Sequence, residues 1–309
     1  MGKRLILQSY LIAALFAFAV IGVSTIVFAD TATTAVDVGN AAPTVTNVNI
    51  SASPIVLIEY TSTTALYISA TITDTNGCSD VISSGTVVGT LFREGVSSTC
   101  TQSPLSCYRN ITMVASSSDL CSGGSDTTAD VFATTGVWYF ADPTDASSSY
   151  PGEKWFLSVK ATDAANASST ATDTTASELN TLVALNTTSA IVYGSVSPGS
   201  NTGATNQNGT TTNTGNAIID IEFTVANMTS GPNTLQGSQQ KYGTTSVTYA
   251  SLPYTGSSTA TVRDWNVGKT ATSTTDSASS TFWGIAVPSG QASGTYSGTN
   301  TFVAVWSSA

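Results

Sequence analysis

The acidic side chains are the first candidates for chemistry in this 309-residue sequence. Two pairs stand close enough to act together: Asp142 with Asp145 in the run Asp142-Pro143-Thr144-Asp145, and Asp220 with Glu222, which an extended chain puts on one face. Paired carboxylates can hydrolyse a glycosidic bond by general acid–base catalysis. The first pair reads equally as a turn, and the second as the wet face of an amphipathic strand. Cation binding is the other chemistry open to carboxylates. Asp74, Asn76, Asp142, Asp145 and Asp163 fall at expected strand ends and carry side-chain oxygens of the kind calcium takes as ligands. Asx-rich turns account for the same residues without a metal, and no other cofactor is expected.

Nucleophiles abound, because Ser and Thr dominate the polar residues, but their activating partners are missing. The chain has no histidine, so imidazole cannot serve as base, proton shuttle or metal ligand. There is no Gly-x-Ser-x-Gly elbow, and a Ser–Lys dyad could draw only on Lys154, Lys160, Lys241 or Lys269. A non-enzymatic role is therefore expected. With a net charge of −10, and with the seven Lys and Arg beyond Lys3 and Arg4 scattered singly, the chain lacks the basic stripe that nucleic acid requires.

Cys78, Cys100, Cys107 and Cys121 form an even set with no C-x2-C knuckle. That pattern suits two disulfides in an oxidising compartment better than a zinc site. Of three connectivities, strand direction favours one. Val87–Arg93 runs away from Cys78 and Tyr108–Val114 runs back, so Cys100–Cys107 and Cys78–Cys121 are the expected pairs. The N-terminus agrees with export. Lys3 and Arg4 precede an apolar stretch, Leu5–Ala29, and Val27-Phe28-Ala29 supplies a cleavage site before Asp30. Residues 1–29 are read as a signal helix, cleaved or retained as an anchor; membrane contact would then run only through residues 5–29.

Short strands must position these groups, since helical periodicity is almost absent after residue 30. Leu66, Ile68, Ala70 and Ile72 alternate with polar residues, as do Trp155, Leu157, Val159 and Ala161, and again Ile219, Ile221, Phe223 and Val225. Each apolar face needs a second sheet to cover it. The fold class expected is all-β, with two Ig-like antiparallel β-sandwich domains after the signal helix. Their bounds are 43–170 and 178–309, joined by a linker at 171–177 that lacks large apolar residues. Residues 30–42 form a mobile lead-in, in which Asp30, Ala32, Thr34, Val36 and Val38 could act as a donor strand. A further strand is expected over Thr295–Val305, and Thr210–Thr212 is the best strand candidate in the polar stretch around it. Among Trp138, Tyr139, Trp155, Trp265, Trp283 and Trp306, most sit in alternating strands and read as core. Trp265, between Asp264 and Asn266, is the one expected to be exposed and to contact a glycan.

Two segments, Ile72-Thr73-Asp74-Thr75-Asn76-Gly77 and Val159-Lys160-Ala161-Thr162-Asp163-Ala164-Ala165-Asn166, resemble strand ends in bacterial and archaeal Ig-like or cadherin-like surface domains. There a V-x-A-T-D-x-x-G-N segment closes the last strand; Ala165 stands here where Gly is usual. Thr210–Thr229 looks like the T-N-T-G-N hairpin of envelope β-sandwiches, and Trp283–Ala304 like their final strand pair. The resemblance implies a secreted prokaryotic cell-surface protein and no particular activity. The function expected is structural or adhesive, by self-association into a surface layer or filament or by contact with other envelope proteins. The alternative is an extracellular glycan-binding module.

Overall fold

The computed structural model describes residues 31–60, 62–117, 121, 125–273 and 275–307. The expected signal helix and Asp30 lie outside the described residues. Residues 40–309 form one compact unit. Within it the protein is almost entirely β, in antiparallel sheets. Among the described residues no helix is long and apolar enough to cross a membrane.

Among the described residues the first half carries eight strands: β1 (Thr44–Ile50), β2 (Thr63–Thr73), β3 (Thr86–Arg93), β4 (Cys107–Thr112), β5 (Val114–Ala115), β6 (Thr128–Trp138), β7 (Trp155–Thr162) and β8 (Ser168–Thr172). They make two four-stranded sheets, ordered β1-β2-β6-β5 and β4-β3-β7-β8. One core joins them. Leu66, Ile68, Ala70 and Ile72 of β2 contribute from one sheet, and Trp155, Leu157, Val159 and Ala161 of β7 from the other. Each Leu, Ile or Val side chain so buried stabilises the fold by about 1.5–3 kcal/mol. A short helix, α1 (Ser79–Ile82), follows Cys78. The structure joins Cys78 to Cys121 and Cys100 to Cys107. Tyr108 spans the core: its hydroxyl donates to the Pro104 carbonyl at 2.6 Å and accepts from the Trp138 N–H at 3.0 Å. Burial pushes that phenol well above its ordinary pKa.

The second half carries β9 (Leu185–Thr187), β10 (Gln207–Asn213), β11 (Ile219–Thr224), β12 (Met228–Ser230), β13 (Asn233–Leu235), β14 (Gln240–Gly243), β15 (Tyr254–Thr255), β16 (Thr261–Val267), β17 (Ala278–Ile285) and β18 (Thr301–Trp306). The main sheets run β15-β14-β17-β10-β9 and β16-β11-β18, with β12-β13 as a separate hairpin. Their core includes Ile219, Ile221, Phe223, Tyr242 and Trp283. The Tyr242 and Trp283 rings stack at 4.7 Å.

The stretch expected as a linker runs along β7. The Asp173 N–H donates to the Leu157 carbonyl at 2.8 Å, and Ser177 exchanges two backbone hydrogen bonds with Trp155. Low apolar content there reflects an edge segment whose work is done by the backbone. The expected strand over 295–305 begins only at Thr301. Before it, Ser297 pairs with Thr229 and the Asn300 side chain caps the Ala226 N–H, which carries the chain across the β12-β13 hairpin. The run Asn213-Thr214-Gly215-Asn216 touches the first half at Thr214, whose carbonyl accepts from the Tyr60 N–H at 3.4 Å. Asn213 Nδ2 donates to the carbonyls of Ala217, Val267 and Gly268. Asn216 Nδ2 donates to the Asn180 carbonyl, and a Cβ on Gly215 would stand 2.1 Å from the Leu182 oxygen. Only glycine fits that approach.

Candidate functional site

The second half has an open seam. Among the described residues, β18 is an edge strand, paired on one side with β11 and forming no ladder on the other. Opposite the buried Phe223, Ile221 and Ile219 stand Phe302, Ala304 and Trp306. Residues directly opposite in an antiparallel pair share a face, so these three belong to the inward row. They are poorly covered: Phe302 and Ala304 are half-buried, and Trp306 is 45% exposed. Beside Phe302 lies a groove of about 730 Å³, lined by Ile191, Tyr193, Met228, Leu235, Ile285 and Phe302 among others.

One wall of the groove is an extended segment, residues 189–196. Its side chains alternate as in a strand, with Ile191 and Tyr193 half-buried and Val192 68% exposed. The ladder between β9 and β10 ends where the Thr188 N–H reaches the Thr210 carbonyl. Beyond that point residues 189–196 make no backbone hydrogen bond among the described residues. Tyr193 instead donates its hydroxyl to Gln240 Oε1 at 2.9 Å, and burial raises its pKa well above the ordinary value. The result is an apolar slot flanked by an unpaired strand edge and an unpaired backbone. Unpaired edges of this kind add strands readily.

The residues expected to donate such a strand are Asp30, Ala32, Thr34, Val36 and Val38. Asp30 lies outside the described residues. Residues 31–39 adopt neither strand nor helix, and Val36 and Val38 are 83% and 81% exposed.

The oxygen-ligand candidates divide. Asp74 and Asp163 come together, joined by Asp80, which lies on α1 and shows no pattern in the sequence. Asn76 stands beside them: its N–H donates to Asp74 Oδ1 and its own Oδ1 accepts from the Ala41 N–H. Asp142 and Asp145 are elsewhere. Asp142 is buried and pairs with Arg93 and Lys269, while Asp145 accepts from the N–H and hydroxyl of Thr181. Asp220 accepts from the backbone N–H groups of Trp265 and Asn266. The carboxylates that sequence proximity paired thus have separate structural partners.

Trp265 is not the exposed ring expected. It lies half-buried, with its centroid 4.8 Å from that of Phe223, and its indole nitrogen is buried without a hydrogen-bond partner. The cause is strand alternation: Asp264 and Asn266 point outward, so the residue between them points in. Trp155 and Trp283 are fully buried. The exposed indole is that of Trp306, at the seam.

Compared with known families and curated proteins, the chain matches no family model and no curated protein.

Proposed function

We propose that this chain is a non-enzymatic, exported envelope protein, built as two Ig-like β-sandwich domains, that self-assembles by strand donation. The lead-in of one copy, Ala32 to Val38, would lie along β18 of the next and fill the groove beside it. The observation that supports this reading is the half-covered inward row of β18. An edge strand with an apolar, partly wet face gains both backbone pairing and burial when a strand is added. The lead-in has the matching pattern. Ala32, Thr34, Val36 and Val38 fall on one face of an extended chain, and the seven residues from Ala32 to Val38 reach about 23 Å at roughly 3.3 Å each. That length covers the six residues of β18. Surface-layer and filament geometries differ only in how successive donations are angled. What favours assembly over glycan binding is the packing of the Trp265 ring against Phe223.

All four cysteines are in disulfides, so introduced thiols report contacts cleanly. Asp37→Cys combined with Val303→Cys places both thiols on the outward face of the proposed pair. Oxidation of assembled material should give a ladder of covalent multimers, and Val36→Asp in the same background should abolish it while the body still folds. A chain that stays monomeric, on cells that show neither lattice nor fibres after shearing, would sink the proposal.

A further inference from the structure

We infer that Asp74, Asp80 and Asp163 form a binding site for a hard divalent cation, with calcium the best fit. Asp74 follows β2, Asp163 follows β7 and Asp80 sits on α1. Each offers one oxygen, and the three lie within 4.8 Å of one another. Asp74 and Asp163 are 1% and 2% exposed.

Hydrogen bonding accounts for three of the four oxygens on the two buried carboxylates. Asp74 Oδ1 accepts from the Asn76 N–H, Asp163 Oδ1 from the Ala167 N–H and Asp163 Oδ2 from Asn40 Nδ2, each at 2.8 Å. Asp74 Oδ2 is buried and has no partner. Asx turns explain the bonded oxygens. They do not explain an orphaned buried oxygen beside two further carboxylates, an arrangement that costs both desolvation and mutual repulsion. None of the four ion pairs among the described residues brings a lysine or arginine to the cluster.

The donor set selects the ion. All the ligands are oxygens: the chain has no histidine, and its cysteines are in disulfides. That disfavours zinc, copper and iron. An ion about 2.4 Å from each ligand spans oxygens up to roughly 4.8 Å apart, which is calcium's range; magnesium, at about 2.0–2.1 Å, demands a tighter set. Two carboxylates come from strands in opposite sheets and the third from the helix beside the Cys78–Cys121 bridge. The ion would therefore clamp both sheets where the chain enters the body, since Asn40 and Ala41 bond to Asp163 and Asn76. The site stands apart from strand donation and does not require it.

The test is calorimetric and thermal, on protein first treated with chelator. Calcium chloride should bind one to one and raise the melting temperature by about 2–4 °C or more at saturation. Magnesium chloride should do so more weakly. Asp80→Asn changes a partly exposed helix residue and should fold; it should weaken calcium binding about ten-fold or more. In chelator the same variant should melt no lower than the unmodified chain, because one repelling charge is gone. No heat and no thermal shift at millimolar calcium would overturn the site, as would an Asp80→Asn variant that binds calcium unchanged.

Discussion

Asp142 is the buried anion on which two cations converge, and its replacement by asparagine gives a prediction with a calculable size. Its carboxylate accepts from Arg93 Nε at 3.2 Å and pairs through the other oxygen with Lys269, which belongs to the second half of the body. Arg93 has further support: Glu153 pairs with it, and its guanidinium lies 3.6 Å from the centre of the Tyr150 ring. Among the described residues, Lys269 has besides Asp142 only the Phe140 carbonyl, at 3.4 Å. Burial lowers the Lys269 pKa despite the pull of Asp142, so the ammonium is held at a cost. Removing one partner of a buried pair costs about 3–5 kcal/mol. The Lys269 side chain is 22% exposed, so Asp142→Asn should fall at the lower end, about 3 kcal/mol. Lys269→Met leaves Asp142 paired with Arg93 and should cost only about 1 kcal/mol. The double variant should cost about 1–2 kcal/mol, well below the sum of the single changes. Urea unfolding of the four proteins, extrapolated to water, measures the cycle. A second reading comes from pH. The folded pKa of Lys269 lies below the unfolded value near 10.5, so the unfolded chain holds that proton more tightly. Its cost is fully present at neutral pH and is relieved as pH rises toward 10.5. Lys269→Met should lose that upward slope. Additive single changes, or an Asp142→Asn cost below about 1 kcal/mol, would refute the buried-pair reasoning.

The disulfides should differ in weight. Cys78 and Cys121 are 43 residues apart and Cys100 and Cys107 only 7, so by loop-closure entropy the Ser pairs should cost about 4 and about 2 kcal/mol in equilibrium unfolding; equal losses would show that local packing, not loop length, sets the effect. The buried phenols predict alkaline behaviour of the opposite sign to Lys269. Burial raises the folded pKa of Tyr108 and Tyr193, and to a lesser depth of Tyr139 and Tyr249, above the ordinary value of 10.0. Their contribution is complete below pH 10 and is lost as pH climbs above it. Ultraviolet titration of the 11 tyrosines should show part of the tyrosinate signal appearing only with unfolding, and a single smooth titration of all of them in the folded state would contradict this.

The strands that were legible in the sequence are those with a wet side and a dry side. The period-two rows of β2, β7 and β11 each put their apolar members below 4% exposure, because β-branched and aromatic residues at alternate positions leave the chain no other way to bury them. Trp265 departs from expectation for the same physical reason. Its polar neighbours Asp264 and Asn266 report the opposite face of the strand, not the surroundings of the ring between them. Asp80 left no trace, because a four-residue helix is too short for periodicity and its meeting with Asp74 and Asp163 depends on two sheets closing over one core.

Residues 189–196 join pattern to function. Ile191 and Tyr193 alternate with Val192 and Gly194 as a strand should, yet the backbone between them has no ladder. Local pattern fixes which way side chains point, but a ladder needs a neighbour, and neither β10 nor β18 supplies one along this stretch. Unpaired N–H and C=O groups must then be satisfied by water or by another chain. Water serves the backbone but does nothing for Phe302, Ala304 and Trp306, whose inward row remains partly wet. Under the proposed strand donation, a strand from a second copy would satisfy the backbone edge and cover the apolar row together. That double gain is why the seam argues for assembly more strongly than either the exposed edge or the groove does alone.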